Sequence, residues 1–162
     1  RHYKQFDNHK LLSKIKIKKT NANKIPLETL GKKLFIELDK NPLFIKCDNI
    51  IIENQPVLKN PTMKSVQMIL YTFFLDHGIM DKKSLIDDVI LFSARNKLKI
   101  YDGPAVECNI KNKYSRRKYL SVEYTKYFVK DMKKWVDFFN THTKKDDLAD
   151  SYLQGLYYLL KK

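Results

Sequence analysis

The chain has 162 residues, of which 43% are hydrophobic and 12% aromatic, and its formal net charge is +14. This composition can bury an ordinary core, so it excludes an intrinsically disordered protein and makes one domain the expectation. No apolar run reaches the roughly 18–20 residues that span a bilayer, and the start "RHYKQFDNHK" lacks the apolar region of a signal peptide. We therefore expect a soluble intracellular protein with no membrane partner.

The positive charge is concentrated in two segments. Residues 1–26 hold 8 basic and 1 acidic residues, residues 109–134 hold 9 and 2, and the remainder holds 15 of each. Two basic segments on a neutral body favour a polyanionic partner, most simply nucleic acid, because neutralising phosphates releases counterions. A lysine-rich protein without such a partner is the alternative interpretation.

The first half of the chain predicts a basic arm, a helix and a strand. Residues 1–26 have no helical period and form the expected arm or the remnant of an insertion. Residues 27–40 carry apolar side chains every three or four positions, which predicts an amphipathic helix. Residues 50–53, "IIIE", are a β-branched run typical of a strand buried on both faces of a sheet. Asn60 and Pro61 then predict the N-cap and first turn of another helix, which ends near residue 75.

The second half predicts further strands and helices. Two apolar runs, residues 88–93 and 98–101, are expected to be strands, and residues 116–139 and 144–161 are expected to be helices. This order is typical of an α/β fold with parallel strands, here occupying residues 27–162.

Three carboxylates are candidates for chemistry. Glu53 ends its strand, and functional groups collect at the carboxyl ends of parallel strands. Asp147 and Asp150 are three residues apart and therefore lie on one face of the last helix. Asp146 is four residues from Asp150 and is also possible, although it would serve as a capping residue if Thr143 is the N-cap.

These residue types match the needs of a magnesium-dependent nuclease. Mg²⁺ prefers carboxylate oxygens and retains waters, so a few acids and a substrate phosphate complete its shell. Each acid also has a plain structural interpretation, as a solvated turn residue or as a partner of the helix dipole. From the residues alone, a nuclease and a plain nucleic-acid-binding protein are equally supported.

Three blocks, "IIIENQPVLKNPTMKSVQMILYTFF", "FSARNKLKIYDG" and "KKDDLADSYLQGL", occur in this order along the chain. Together they resemble the Holliday junction resolvases of poxviruses and other large DNA viruses, relatives of the bacterial RuvC and mitochondrial resolvases. The resemblance spans about residues 25–160. It implies a ribonuclease H-like fold, in which helices flank a mixed sheet that is here incomplete at the N-terminus.

The resemblance also implies site residues. Glu53 matches the family's metal-binding glutamate, Asp147 and Asp150 match its closing D-x-x-D pair, and Lys118 matches a basic residue near the scissile phosphate. The expected contacts to DNA are Lys59, Lys64, Lys97, Lys99, Arg116, Arg117 and Lys118. For Lys97 and Lys99 a solvated strand edge is an equal interpretation.

The implied activity is metal-dependent cleavage of four-way and other branched DNA, in viral recombination or genome processing. The implied cofactor is Mg²⁺, for which Mn²⁺ can substitute, and the implied assembly is a homodimer. A viral protein of this kind would work in the host cytoplasm or at the viral replication site.

One feature of the family is missing. The family begins with a D-x-G strand whose aspartate binds metal, and no such strand precedes residue 27 here. The simplest expectation is that the chain starts downstream of that strand. A catalytically inactive DNA-binding protein of the same fold is the alternative, and a basic protein that binds duplex DNA without junction preference is a third.

Overall fold

The computed structural model describes residues 24–58 and 60–161, and these fall into two compact units, residues 24–93 and residues 94–161. The predicted arm falls mostly outside the described residues. The first unit contains helix α1 (Leu27–Asp39), strand β1 (Asn49–Glu53), helix α2 (Pro61–Phe74) and strand β2 (Asp88–Phe92). All four elements were predicted from the sequence.

Strands β1 and β2 pair in parallel, with Asn49 opposite Asp88 and Glu53 opposite Phe92. Parallel pairing follows because α2 lies between the strands in the chain and returns it to the same end of the sheet. Within the described part of the chain, the sheet has these two strands only. The α/β class is therefore confirmed in a mostly helical form.

The core of the first unit is apolar and combines aliphatic side chains with two phenylalanines. Its buried members are Leu38, Ile52, Phe73, Phe74, Ile86 and Val89. Phe73 packs edge-on against Phe35 of α1, with ring centroids 4.9 Å apart. In β1 only Ile52 is fully buried, while Ile50 and Ile51 are half-buried. The prediction of a strand buried on both faces is thus wrong for most of its length.

The second unit is helical. It contains a 3₁₀ segment (Ala94–Ile100) and helices α3 (Lys113–Val129), α4 (Lys133–Thr141) and α5 (Lys145–Lys161). Its buried core consists of Val129, Phe139, Leu148, Ala149, Tyr152 and Leu153. The predicted final helix is confirmed, although Leu159 at its end is exposed.

Two predictions fail in this unit. Residues 98–101 are not a strand, because Leu98 and Ile100 pack against the core from a 3₁₀ segment. A four-residue alternation is too short to separate these structures. Residues 116–139 are not one helix, because α3 ends at Val129 and α4 begins at Lys133. The break allows Val129 and Phe139 to be buried in the same core. In a continuous helix they would stand about 15 Å apart along the axis and about 80° apart around it.

Candidate metal and nucleic-acid site

Glu53 lies at the carboxyl end of β1, as predicted, and its side chain is exposed. The backbone N–H of Asn54 donates to the carbonyl of Phe92 over 2.9 Å, so the ladder continues one residue past Glu53. This hydrogen bond holds the backbone beside Glu53 in the sheet, so it fixes the position from which the Glu53 side chain extends.

The loop after Glu53 is attached to α2 through a buried amide. Gln67 is 2% exposed, and its Oε1 accepts hydrogen bonds from the Gln55 backbone N–H (2.7 Å) and the Lys64 ammonium (3.2 Å). The Lys64 ammonium also donates to Asn54 Oδ1 over 3.1 Å. Lys64 was expected to contact DNA, and the structure places it beside this loop.

The role of Gln67 was missed in the sequence, although a signal exists. Gln67 is four residues after Met63 and three before Leu70, so it places a polar group among apolar residues at helical spacing in α2. A polar side chain on a buried helix face requires hydrogen-bond partners. The loop that follows β1 supplies one of them.

Helix α2 begins as predicted. Asn60 is the N-cap, and its Oδ1 accepts from the Met63 backbone N–H over 3.1 Å, with Pro61 in the first turn. The cap therefore occupies a donor that a phosphate at this helix start would need. Lys59, another expected DNA contact, lies outside the described residues.

The three aspartates of α5 lie in its first two turns. Helix α5 begins at Lys145, two residues after Thr143. Thr143 is therefore not directly before the helix, as an N-cap would be, and Asp146 is the second helical residue. The Asp147 side chain is 55% exposed, with Lys144 at 3.9 Å. Asp147 and Asp150 are three positions apart on this helix, as the predicted pair requires.

Asp150 is paired with Lys97 of the 3₁₀ segment. The Lys97 ammonium lies 2.6 Å from Asp150 Oδ2, and the two side chains are 11% and 30% exposed. The second oxygen, Asp150 Oδ1, is buried and has no hydrogen-bond partner among the described residues. The interpretation of Lys97 as part of a solvated strand edge is therefore wrong. Lys99 is exposed, but it lies in the same 3₁₀ segment and not on a strand.

Lys118 of α3 is paired with Asp146. Its ammonium donates to Asp146 Oδ2 over 2.6 Å and lies 4.9 Å from the centre of the Tyr114 ring. The hydrogen bond from Lys118 lowers the pKa of the Asp146 carboxyl and is the main reason that the pKa of Lys118 is raised. Arg116 and Arg117, one turn or less away, are exposed.

The structure thus groups the predicted residues into two sets. Glu53 and Lys64 belong to the first unit, and the second unit brings Lys97 to Asp150 and Lys118 to Asp146. Within residues 24–58 and 60–161, no three His, Cys, Asp or Glu side chains lie close enough to hold a metal ion together. The unpartnered Oδ1 of Asp150 is nevertheless an oxygen donor suited to Mg²⁺.

The sequence is similar to a protein of a giant virus. It is 37% identical over 153 residues to the uncharacterized protein L451 of Acanthamoeba polyphaga mimivirus, covering 88% of this chain. The chain spans 37% of the length of that relative. No family model and no solved structure matches the sequence. No helix in the described ranges is both long enough and apolar enough to cross a membrane.

Proposed function

We propose that this chain belongs to a metal-dependent endonuclease that cleaves four-way and other branched DNA. The proposal includes a ribonuclease H-like fold, a homodimer and Mg²⁺ or Mn²⁺ as cofactor. The observation that supports it most is the buried Oδ1 of Asp150 beside Lys97, which no group in residues 24–58 and 60–161 hydrogen-bonds. A buried carboxylate oxygen without a hydrogen bond is costly unless it serves a ligand.

In this proposal the acids hold the cation. Asp147 and Asp150 of α5 would supply oxygen ligands, and the resemblance implies Glu53 as a further ligand. It also calls for one more aspartate, in a D-x-G strand, that the chain does not supply before residue 27. A bound Mg²⁺ would lower the pKa of a water and would offset negative charge on the scissile phosphate. The loop between β1 and α2 would keep Glu53 oriented, since Gln67 and Lys64 attach that loop to α2.

The basic residues would bind the DNA backbone. Arg116 and Arg117 are exposed on α3 and reach solvent, as does Lys99. Lys118 would stabilise negative charge at the phosphate, with Asp146 holding its ammonium in place. A homodimer would suit a four-way junction, whose two cuts are related by symmetry.

Similarity to a protein from a giant virus supports a viral setting, with work in the host cytoplasm or at the viral replication site.

Cleavage of a labelled four-way junction tests the proposal. Glu53→Gln, Asp147→Asn and Asp150→Asn should each reduce the cleavage rate in Mg²⁺ at least about 100-fold, because each removes a charged ligand. The control is Glu28→Gln, which neutralises an exposed acid of α1 that pairs with Lys32. Equal rates for Glu53→Gln and the wild type would overturn the proposal.

A DNA-binding protein of the same fold without catalysis is the second candidate. It is favoured by one observation: Lys97 and Lys118 already neutralise two of the three acids of α5. This candidate predicts tight junction binding with no cleavage in Mg²⁺ or Mn²⁺. Competition of the junction against linear duplex at fixed salt identifies the third class, since a purely electrostatic protein discriminates little between them.

A further inference from the structure

We infer that Lys97 is an internal counter-ion of Asp150 that a divalent cation must displace, so Lys97 sets the cation affinity of this carboxylate. The inference rests on the proposed function for the role of Asp150. It assigns Lys97 to the acidic residues, whereas the family resemblance implied contact with DNA, with a solvated strand edge as an equal interpretation.

Lys97 and Asp150 form a close pair that has little contact with water. The Lys97 ammonium is 2.6 Å from Asp150 Oδ2, and the Lys97 side chain is 11% exposed. An ammonium with so little access to water depends on its partner for charge compensation. Lys97 therefore compensates the charge of Asp150 from within the chain.

The Asp150 carboxylate is only partly compensated by Lys97. Lys97 pairs with one oxygen of Asp150, while Oδ1 is buried without a hydrogen-bond partner in the described part of the chain. A divalent cation carries twice the charge of the Lys97 ammonium and binds carboxylate oxygens directly. It can therefore bind Asp150 Oδ1, which the lysine leaves without a hydrogen bond. Because two cations repel each other at contact distance, the ion and the ammonium compete for Asp150.

The surroundings of Lys97 show which part would move. Its neighbours Leu98 and Ile100 pack against the core of the second unit, so they anchor the 3₁₀ segment. The backbone at Lys97 is thus fixed on both the core and α5, and displacement requires rotation of the lysine side chain only. The long, flexible stem of lysine permits such a movement.

The test measures cation binding, with the metal alone and no DNA. Free Mn²⁺ is measured by electron paramagnetic resonance during titration of the full chain at fixed ionic strength. Lys97→Gln should bind Mn²⁺ about three to ten times more tightly than the wild type, since it removes the competing charge. Asp150→Asn should abolish this gain when combined with Lys97→Gln.

The matched control is Lys99→Gln, which removes the same charge from an exposed position of the same segment. It should change Mn²⁺ affinity by less than about twofold, because exposed charges are screened. Equal gains in the two variants, or no gain in Lys97→Gln, would overturn the inference.

A second measurement uses the wild-type chain and does not depend on whether the variant folds. Reductive methylation followed by mass spectrometry should show low reactivity of Lys97, which rises when Mg²⁺ is added. Unchanged reactivity would contradict displacement. Neither measurement follows DNA cleavage, so a chain without nuclease activity still gives the tighter Mn²⁺ binding when the inference holds.

Discussion

The Lys118 ammonium donates a 2.6 Å hydrogen bond to Asp146 Oδ2 and thereby connects α3 to the first turn of α5. The two side chains are 40% and 25% exposed, so the pair lies at the border of solvent. The lysine expected to meet a DNA phosphate is thus already held by a carboxylate. A phosphate that binds here would share the Lys118 ammonium with Asp146, which already orients it.

The Lys118–Asp146 pair should make stability depend on pH in the acidic range. Lys118 lowers the pKa of Asp146 below its ordinary 3.8 in the folded chain. The stabilisation is therefore complete above about pH 4 and is lost as the pH falls through the lower, folded-state value. Asp146→Asn should reduce the free energy of unfolding at pH 7 by up to about 1 kcal/mol, since the pair is partly exposed.

Urea unfolding of both proteins between pH 3 and pH 7 checks this, and the difference between them should shrink at the acid end. Asp147→Asn is the control, because Asp147 is 55% exposed with its lysine at 3.9 Å. An Asp146→Asn protein as stable as the wild type at pH 7 would refute the prediction.

The buried amide of Gln67 should stabilise the loop after Glu53. Gln67→Leu keeps the approximate volume but leaves the Gln55 backbone N–H without its 2.7 Å acceptor. We expect a loss of about 1–3 kcal/mol in the free energy of unfolding, measured in urea. Met63→Leu, about one turn earlier on α2 and 41% exposed, should change it by less than about 0.5 kcal/mol. Equal stability of the two variants would show that the amide is not needed.

Two glycines should respond to alanine in opposite directions. A Cβ at Gly103 would lie 2.7 Å from the Tyr101 hydroxyl oxygen and 2.8 Å from the Tyr127 ring. Tyr101 is stacked on Tyr124 with centroids 3.7 Å apart and cannot move easily. Gly103→Ala should therefore destabilise the chain by about 1–3 kcal/mol.

Gly31 is the comparison site, within α1. A Cβ there would lie 3.5 Å from Ile69 Cδ1, an ordinary contact. Gly31→Ala should stabilise the chain by up to about 1 kcal/mol, because alanine is the better helix former. Thermal unfolding of both variants measures the two signs, and a stabilising Gly103→Ala would contradict the packing argument.

The exposed arginines of α3 should contribute to DNA affinity through phosphate contacts. The double variant Arg116→Gln, Arg117→Gln should bind a four-way junction more weakly and lower the slope of log affinity against log salt by about 1.8, since each contact contributes about 0.9. Fluorescence anisotropy at several salt concentrations measures this. The exposed pair Lys32 and Lys33 of α1, changed in the same way, is the charge-matched control. An equal slope change in both double variants would assign the effect to net charge alone.

Local patterns predicted most elements but not how they end. The period of three or four apolar residues predicted α1 and α5, and the Asn60 and Pro61 pair predicted the start of α2. The break after Val129 has no local signal, because it depends on burying Phe139 in the same core. The strand predicted at residues 98–101 was wrong for the same reason. Leu98 packs against the core from a 3₁₀ segment, which a short alternation of apolar and polar residues does not predict.

The sequence by itself determined the features that depend on near neighbours. These are the strand that ends on Glu53, the cap of α2 by Asn60 and the spacing of Asp147 and Asp150 on one helix. Their hydrogen bonds and periods span a few residues, so the chain encodes them locally.

Only the tertiary structure decided the partners of the acids. Lys118 and Asp146 are 28 residues apart, and Lys97 reaches Asp150 from a segment that precedes α3. Packing of the 3₁₀ segment, α3 and α5 around one core brings these charges together. Burial then makes each carboxylate depend on a specific lysine, a dependence that no spacing along the chain contains.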